Sequence, residues 1–284
     1  KSAARVSIDG QGKAIVETDM TDIGTGTYTI LAQITSEILG LPIEDVTVHL
    51  GDTDAPPGAG SGGSWGAGSS GSSVYLACEM LRSKLAKAMG ADEASLTLKD
   101  GRAIADNRSV PLTELVGDGI DATGEIQPGK QEKKFTQSSF GAHFAEVKVN
   151  AVTGEVRLVR MHGTFTAGRI LNEKTARSQC LGGMTFGIGT ALTEELVHDP
   201  RNGKIVNRDM AEYHVPVNAD VPQLDVTFLD ERDIHANPIH AKGIGELGIA
   251  GAGAAIANAI YNAVGVRVRD FPITLDKLID NMPD

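Results

Sequence analysis

Residues 56–73 read PPGAGSGGSWGAGSSGSS, a run with no charged side chain and one large one, Trp65, the only tryptophan of the chain. Such a run has no apolar stripe with which to make a helix or strand of its own core. It is either a flexible linker or a loop whose backbone something approaches closely. Its place favours the loop, because it lies between a strand pattern at 46–50 (VTVHL) and a helix pattern at 74–89, with its serines close to the helix N-terminus. Successive backbone N–H groups and Ser hydroxyls ahead of a helix can cradle phosphate or pyrophosphate without Lys or Arg. The run is not a P-loop, since no Gly-Lys-Ser/Thr closes it, and not a dinucleotide fingerprint, since no acid follows about twenty residues on.

The remaining chain repeats the theme of a glycine loop between a strand and a helix. Residues 14–20 (AIVETDM) alternate as a strand, 21–29 (TDIGTGTYT) form a loop, and 28–39 form a helix with an apolar stripe of Ile30, Leu31, Ile34, Ile38 and Leu39. Gly40 and Pro42 stop it. Residues 91–134 are polar and turn-rich, with a short strand candidate at 96–98 and no chemical motif. A hairpin is expected from 143–149 (HFAEVKV) and 155–161 (EVRLVRM) about the turn Thr153-Gly154. A helix over 174–197, a turn at 199–203, short strands at 213–217 and 224–229, and a small-residue helix at 250–264 complete the order. This predicts an α+β fold, mixed or antiparallel sheets with helices on one face, in two subdomains, 1–134 and 135–284. An internal duplication is compatible with a loop and a long helix in each half, although the residues do not repeat.

Just before the last helix stands Lys242-Gly243-Ile244-Gly245-Glu246-Leu247. Glu246 is its one carboxylate, set among glycines where a helix start favours negative charge. It is the first candidate for acid–base chemistry; decoration of a helix start is the competing reading.

Composition excludes several classes. Net charge is -11, from 37 acids and 26 bases without a basic cluster, which argues against a nucleic-acid partner. No uninterrupted apolar run reaches about 18 residues, so no membrane partner is expected. Cys78 and Cys180 lie far apart without a C-x-x-C partner, so a cysteine-held zinc or iron–sulfur site is not expected and both read as buried free thiols. The chain starts without Met and directly in a strand pattern, VSI at 6–8, which suggests a piece of a longer polypeptide.

Several motifs in order resemble the C-terminal part of the molybdenum-binding subunit of the xanthine dehydrogenase and aldehyde oxidase family. They are DIGTGTYT at 22–29, GDTDAPPGAGSGGSWG at 51–66, GAHFAEVKV at 141–149, GRILN at 168–172, QCLGGMTFGIGTALTEE at 179–195, KGIGELG at 242–248 and the tail GVRVRDFPITLDKLID at 265–280. Within the family the chain is most similar to the bacterial periplasmic-type aldehyde oxidoreductases. The resemblance implies molybdenum held by a pterin dithiolene rather than by protein ligands, as molybdopterin cytosine dinucleotide in most bacterial members. It implies oxidation of aldehydes to carboxylic acids with water-derived oxygen, and the family's base falls on Glu246, which takes the proton of the Mo–OH group. Hydroxylation of an N-heterocycle, or a non-catalytic cofactor-binding or assembly domain, are the alternatives. Cofactor contacts are implied for Gly24, Thr25, Gly26, Ser61, Gly62, Gly63, Ser64, Gln179, Lys242, Gly243 and Gly245, with Lys242 in a structural rather than a catalytic role. Implied partners are the N-terminal half of the subunit and separate subunits with 2Fe-2S clusters and FAD in a hetero-oligomer. The chain departs from the family at Thr25, where many members have Gln, at Gly66 in place of Ser, at Thr166-Ala167 in place of an acid, and at Glu173 in place of Pro.

Overall fold

The computed structural model describes residues 1–129 and 133–282. They form two compact units. Unit one holds Lys1–Ser138 with Ala167–Thr175 and Glu231–Gly243, and unit two holds Ser139–Thr166, Ala176–Asp230 and Ile244–Asp284. Two stretches of the second half therefore belong to unit one, which the contiguous ranges 1–134 and 135–284 do not contain.

Unit one begins with a hairpin, β1 (Ser2–Asp9) antiparallel to β2 (Ala14–Thr18), followed by helix α1 (Thr27–Leu39) and strand β3 (Val46–Leu50), which lies parallel to β2. Ile30, Leu31, Ile34 and Leu39 of α1 are buried and Ile38 packs beside them. Gly40 ends α1 in the left-handed conformation, φ 61°, which costs glycine nothing. Helix α2 (Gly66–Met89) packs on β1 and on β7, two elements of the same sheet. Between them run β4 (Thr97–Lys99), β5 (Arg102–Ala105), β6 (Arg108–Pro111) and α3 (Leu112–Leu115), the strands forming a small antiparallel sheet, before β7 (Gly119–Ile126) closes the main sheet in the order β3-β2-β1-β7. Val6, Ile8 and Val16 of the sheet share a core with Leu31, Val74, Leu81 and Leu85 of the helices. Each fully buried aliphatic side chain contributes about 1.5–3 kcal/mol.

The sequence places the start of α2 eight residues too late. Residues Gly66–Ser73 are its first two turns, despite the poor helix propensity of Gly and Ser. Packing overrides propensity here: a Cβ on Gly71 would stand 2.8 Å from Ile239 and 3.1 Å from Ile34. Ser70, Ser72 and Ser73 are fully buried, and the last two return their hydroxyls to the carbonyls of Gly68 and Ser69.

Unit two repeats the opening order of unit one. A hairpin of β8 (Phe140–Val149) and β9 (Val156–Thr166) is followed by α4 (Glu173–Leu192), by β10 (Gln223–Phe228) parallel to β9, and by the helices α5 (Leu247–Ala250) and α6 (Ala252–Val264), with α7 (Asp276–Ile279) last. The sheet order is β10-β9-β8. Each unit thus reads strand, strand, helix, strand, helix with its third strand parallel to its second, the arrangement of an internal duplication. Met161, Phe165 and Val226 of the sheet bury against Cys180 and Met184 of α4, and Ile188 of α4 meets Ile256 and Ile260 of α6.

Other differences have local causes. The helix at 174–197 ends at Leu192, where the N–H groups of Thr193 and Glu194 both turn to the Gly189 carbonyl and Pro216 packs over Gly189. Residues 213–217 are not a strand; Pro216 has no N–H for a ladder. The stretch Leu247–Val264, with mean hydropathy 1.4, is long and apolar enough to cross a membrane by length and composition, contrary to the sequence expectation. In unit two it is divided at Gly251, and Ala252, Ile256 and Ile260 are core residues. Both cysteines are buried free thiols as expected, and burial pushes Cys78 up to about 12 and Cys180 up to about 11.

Candidate functional site

Because β2 and β3 are parallel, the loops that follow them leave the same end of the sheet, the position at which open α/β sheets bind ligands. The first carries Gly24, Thr25 and Gly26. Asp22 organises it: one carboxylate oxygen accepts the N–H groups of Gly24 and Thr25 at 2.8 and 2.9 Å. Partial burial opposes the Asp22 charge, but these and the further N–H groups of Tyr28 and Gly26 outweigh it and hold the carboxyl below its usual range. Thr25 spends its hydroxyl inside the loop, at 3.4 Å from Asp22 and 3.3 Å from Thr27 Oγ1. Asp22 is a residue that the sequence reading did not single out.

The second loop joins the first through Ser61, whose hydroxyl donates to the Thr21 carbonyl at 2.7 Å and accepts from Thr21 Oγ1 at 2.8 Å. Gly63 and Ser64 both have left-handed φ, 54° and 58°, and Trp65 returns to the right-handed region. Such alternation turns successive N–H groups to one side, as anion-binding nests do. A Cβ on Gly60 or Gly62 would meet nothing within 4 Å, so space is open along the loop. Trp65 donates from Nε1 to the Gly60 carbonyl at 2.7 Å and is 58 % exposed.

Lys242 and Gly243 complete this part of unit one. A Cβ on Gly243 would stand 2.6 Å from the Ser64 carbonyl oxygen, so only glycine allows the approach. Lys242 is almost fully buried, its Nζ donating to Glu231 Oε1 at 2.7 Å with Asp233 Oδ2 at 3.5 Å. Glu231 also accepts the Gly168 N–H at 2.9 Å. Lys242 is thereby a tie between chain segments, and its two acid partners had no signal in the sequence beyond their charge. Gly24, Thr25, Gly26, Ser61, Gly62, Gly63, Ser64, Lys242 and Gly243 are thus gathered in unit one.

Gln179, Gly245 and Glu246 belong to unit two. Gln179 is half-buried on α4; Glu246 is exposed and is the residue from which α5 starts, with φ -101°. The two stretches meet through backbone: a Cβ on Gly248 would lie 2.3 Å from the carbonyl oxygen of Cys180, next to Gln179, and one on Gly183 would lie 2.7 Å from the Ile249 nitrogen. His143 of β8 donates from Nε2 to the Gly248 carbonyl at 2.9 Å, which fixes the turn two residues past Glu246. Burial lowers the His143 pKa, an effect that this hydrogen bond only partly offsets. The sequence suggested one long helix dipole behind Glu246, but α5 has four residues and ends at Gly251, so its dipole is weak.

The donor set of unit one fits a phosphate-bearing group held by backbone rather than by cationic side chains. Residues 19–26 and 51–73 contain no Lys or Arg; backbone N–H groups and the start of the 24-residue α2, which has no acid in its first turn, are the donors that this end of the sheet presents, while the hydroxyls of Ser61, Ser72 and Ser73 are committed to backbone carbonyls. The nearby acids are turned onto their own loops, Asp22 as above and Asp52 onto the Asp54 N–H. Among the described residues there is no cluster of His, Cys, Asp or Glu able to hold a metal directly.

A family model, the molybdopterin cofactor-binding domain, matches residues 1–222. The aldehyde oxidoreductase molybdenum-binding subunit PaoC of Escherichia coli (strain K12) is 55 % identical over 285 residues, covering 100 % of this chain and 39 % of that subunit. The probable hypoxanthine oxidase XdhD of the same organism is 32 % identical, over 96 % of this chain and 30 % of its own length. The crystal structure of quinoline 2-oxidoreductase from Pseudomonas putida 86 superposes with a TM-score of 0.85 at 25 % identity, covering 99 % of this chain and 38 % of that one. The chain therefore spans well under half the length of these relatives.

Proposed function

The chain belongs to the molybdopterin cofactor-binding domain family, and from that premise we propose that it is the C-terminal part of a molybdenum hydroxylase subunit that oxidises aldehydes to carboxylic acids. The observation that carries the reading is the lysine-free cradle of unit one, Gly60–Ser64 ahead of α2 with Gly243 seated on Ser64. Identity of 55 % to PaoC over the whole chain supports an aldehyde over an N-heterocycle.

In this reading the N–H groups of Gly62, Gly63 and Ser64 and the first turn of α2 hold the diphosphate of the pterin, in the cytosine dinucleotide form. The Gly24-Thr25-Gly26 loop lines the same sheet end, and Gln179 addresses the pterin from α4. When bound, the molybdenum cofactor supplies a two-electron oxidation with oxygen drawn from water. Glu246 accepts, on a carboxylate oxygen, the proton of the attacking hydroxyl group. A base must lie within hydrogen-bond reach of that proton, and the packing of Gly248 on Cys180 and His143 limits how far Glu246 can swing away. Lys242 contributes by holding the chain at Gly243 rather than by proton transfer. Subunits bearing 2Fe-2S clusters and FAD take the electrons, and the N-terminal half of the subunit supplies the rest of the pocket.

The test is metal and pterin analysis of the complete subunit together with a substrate screen against an artificial electron acceptor. The expected result is bound molybdenum with a pterin nucleotide and turnover of aldehydes above N-heterocycles. A complete subunit that lacks molybdenum yet binds a cytidine nucleotide tightly would move the reading to a non-catalytic binding domain.

A further inference from the structure

Residues 168–172, GRILN, supply none of the site residues, yet they belong to unit one and are fastened to the helix that follows the Gly24-Thr25-Gly26 loop. Leu171 packs on the core of unit one. Gln33 and Glu37 lie one turn apart on α1; Asn172 donates from Nδ2 to Gln33 Oε1 at 3.0 Å, and Arg169 from Nη2 to Glu37 Oε2 at 2.6 Å. The Arg169–Glu37 pair is exposed and contributes little. The Asn172–Gln33 bond is partly buried, and the other end of the same amide does further work.

Asn172 also starts α4. It stands just before Glu173 and accepts the Thr175 N–H on Oδ1 at 3.0 Å, the bond of an N-cap. An N–H only donates, so the oxygen of the Asn172 amide faces Thr175 and its nitrogen is left for Gln33. The Thr175 hydroxyl turns back to the Asn172 carbonyl and to Oδ1, both at 3.3 Å. That fixes χ1 of Thr175 and with it the direction of the methyl group. The methyl group lies against Gly26: a Cβ there would stand 2.7 Å from Thr175 Cγ2. Gly26 ends the loop and is the residue from which α1 starts, at φ 88° and without a side-chain cap. One amide thus joins the body of α1, at Gln33, to a brace on the start of α1, at Gly26.

We propose that Asn172 is a positioning residue for the cofactor: through Thr175 it braces Gly26 and holds the Gly24-Thr25-Gly26 loop where it lines the cofactor. Asp22 shapes that loop from within, and Asn172 fixes the end at which it joins α1. The inference rests on the reading that this loop belongs to a molybdopterin site.

The test uses the complete subunit with Asn172→Leu, Thr175→Ser or Asn172→Asp, and reads amide hydrogen exchange at 24–26 together with the rate of pterin release on incubation. Asn172→Leu removes both amide hydrogen bonds, and both rates should rise about tenfold, as for the loss of one or two partly buried hydrogen bonds. Thr175→Ser keeps the hydroxyl and the N-cap but takes the methyl group off Gly26. It should loosen 24–26 in the same way while exchange at 174–178 stays at the parent value. Asn172→Asp keeps the acceptor for Thr175, and Gln33 turns its amide over to donate, so both rates should stay within about twofold of the parent. Faster exchange at 174–178 alone in Asn172→Leu, with 24–26 and pterin release unchanged, would overturn the proposal, because Asn172 would then only cap α4. So would an Asn172→Asp subunit as impaired as Asn172→Leu. Molybdenum is measured on the parent sample, where its absence would count against the cofactor reading; exchange at 24–26 needs no metal and decides the brace in either case.

Discussion

Replacing Lys242 by Met tests the buried tie that positions Gly243. The ammonium is 7 % exposed, 2.7 Å from Glu231 and 3.5 Å from Asp233, whose side chains are 28 % and 20 % exposed. Removing one partner of a dry ion pair costs about 3–5 kcal/mol, because the remaining charge stays desolvated. Here both carboxylates keep some contact with water, which brings the expected loss for Lys242→Met to about 2–3 kcal/mol. Given about 2–4 °C per kcal/mol for chains of this size, Tm should fall by roughly 5–10 °C. Urea unfolding gives the free energy directly. Adding Glu231→Gln removes one stranded charge while leaving an oxygen for the Gly168 N–H, so the double variant should recover about 1 kcal/mol. A Lys242→Met protein within about 0.5 kcal/mol of the parent, or a double variant that simply adds two losses, would refute the reasoning.

Gly243→Ala places a methyl group 2.6 Å from the Ser64 carbonyl oxygen, and should cost about 1–3 kcal/mol by overpacking, with pterin content of the complete subunit falling in parallel. Stability should also depend on His143: its folded pKa lies below 6.5, so the unfolded chain binds the proton first and stability is lost as pH falls through about that value. In His143→Gln that component of the pH profile between pH 5 and 8 should be absent, as measured by denaturant titration at each pH. Cys78 and Cys180, with thiols pushed to about 12 and about 11, should resist a disulfide reagent at pH 8 in the folded chain and react once it is unfolded. Cytidine diphosphate added to the chain should change the fluorescence of Trp65, the sole tryptophan, whereas a Gly63→Val variant, strained at φ 54°, should not respond.

Elements whose own residues carry their pattern were legible from the sequence. The stripe and stop of α1, the alternation of β3, and the β8–β9 hairpin about Gly154 all follow from local signals. What escaped depends on residues distant along the chain. The first two turns of α2 look like a linker because the reason for their glycines and serines lies in Ile34 and Ile239. The Glu231–Asp233–Lys242 cluster has no spacing rule behind it, and His143 acts on Gly248 across 105 positions. β7 lies in a stretch without a motif, yet it completes the sheet of unit one. The duplication was legible only as a loop and a long helix in each half, since it is kept in the order of elements and in the parallel third strand rather than in residues. Glycine spacing and the lone carboxylate mark candidate residues in the sequence at 61–64 and 242–246, whereas support from a side chain such as Asp22 leaves no such mark.

The proposed role of Glu246 as the base is tested most directly by turnover of Glu246→Gln in the complete subunit, with molybdenum and pterin measured on the same sample. Molybdenum content should be unchanged and kcat should fall on the order of a hundred- to ten-thousand-fold, the usual loss for a general base. Undiminished turnover at full molybdenum loading would contradict it.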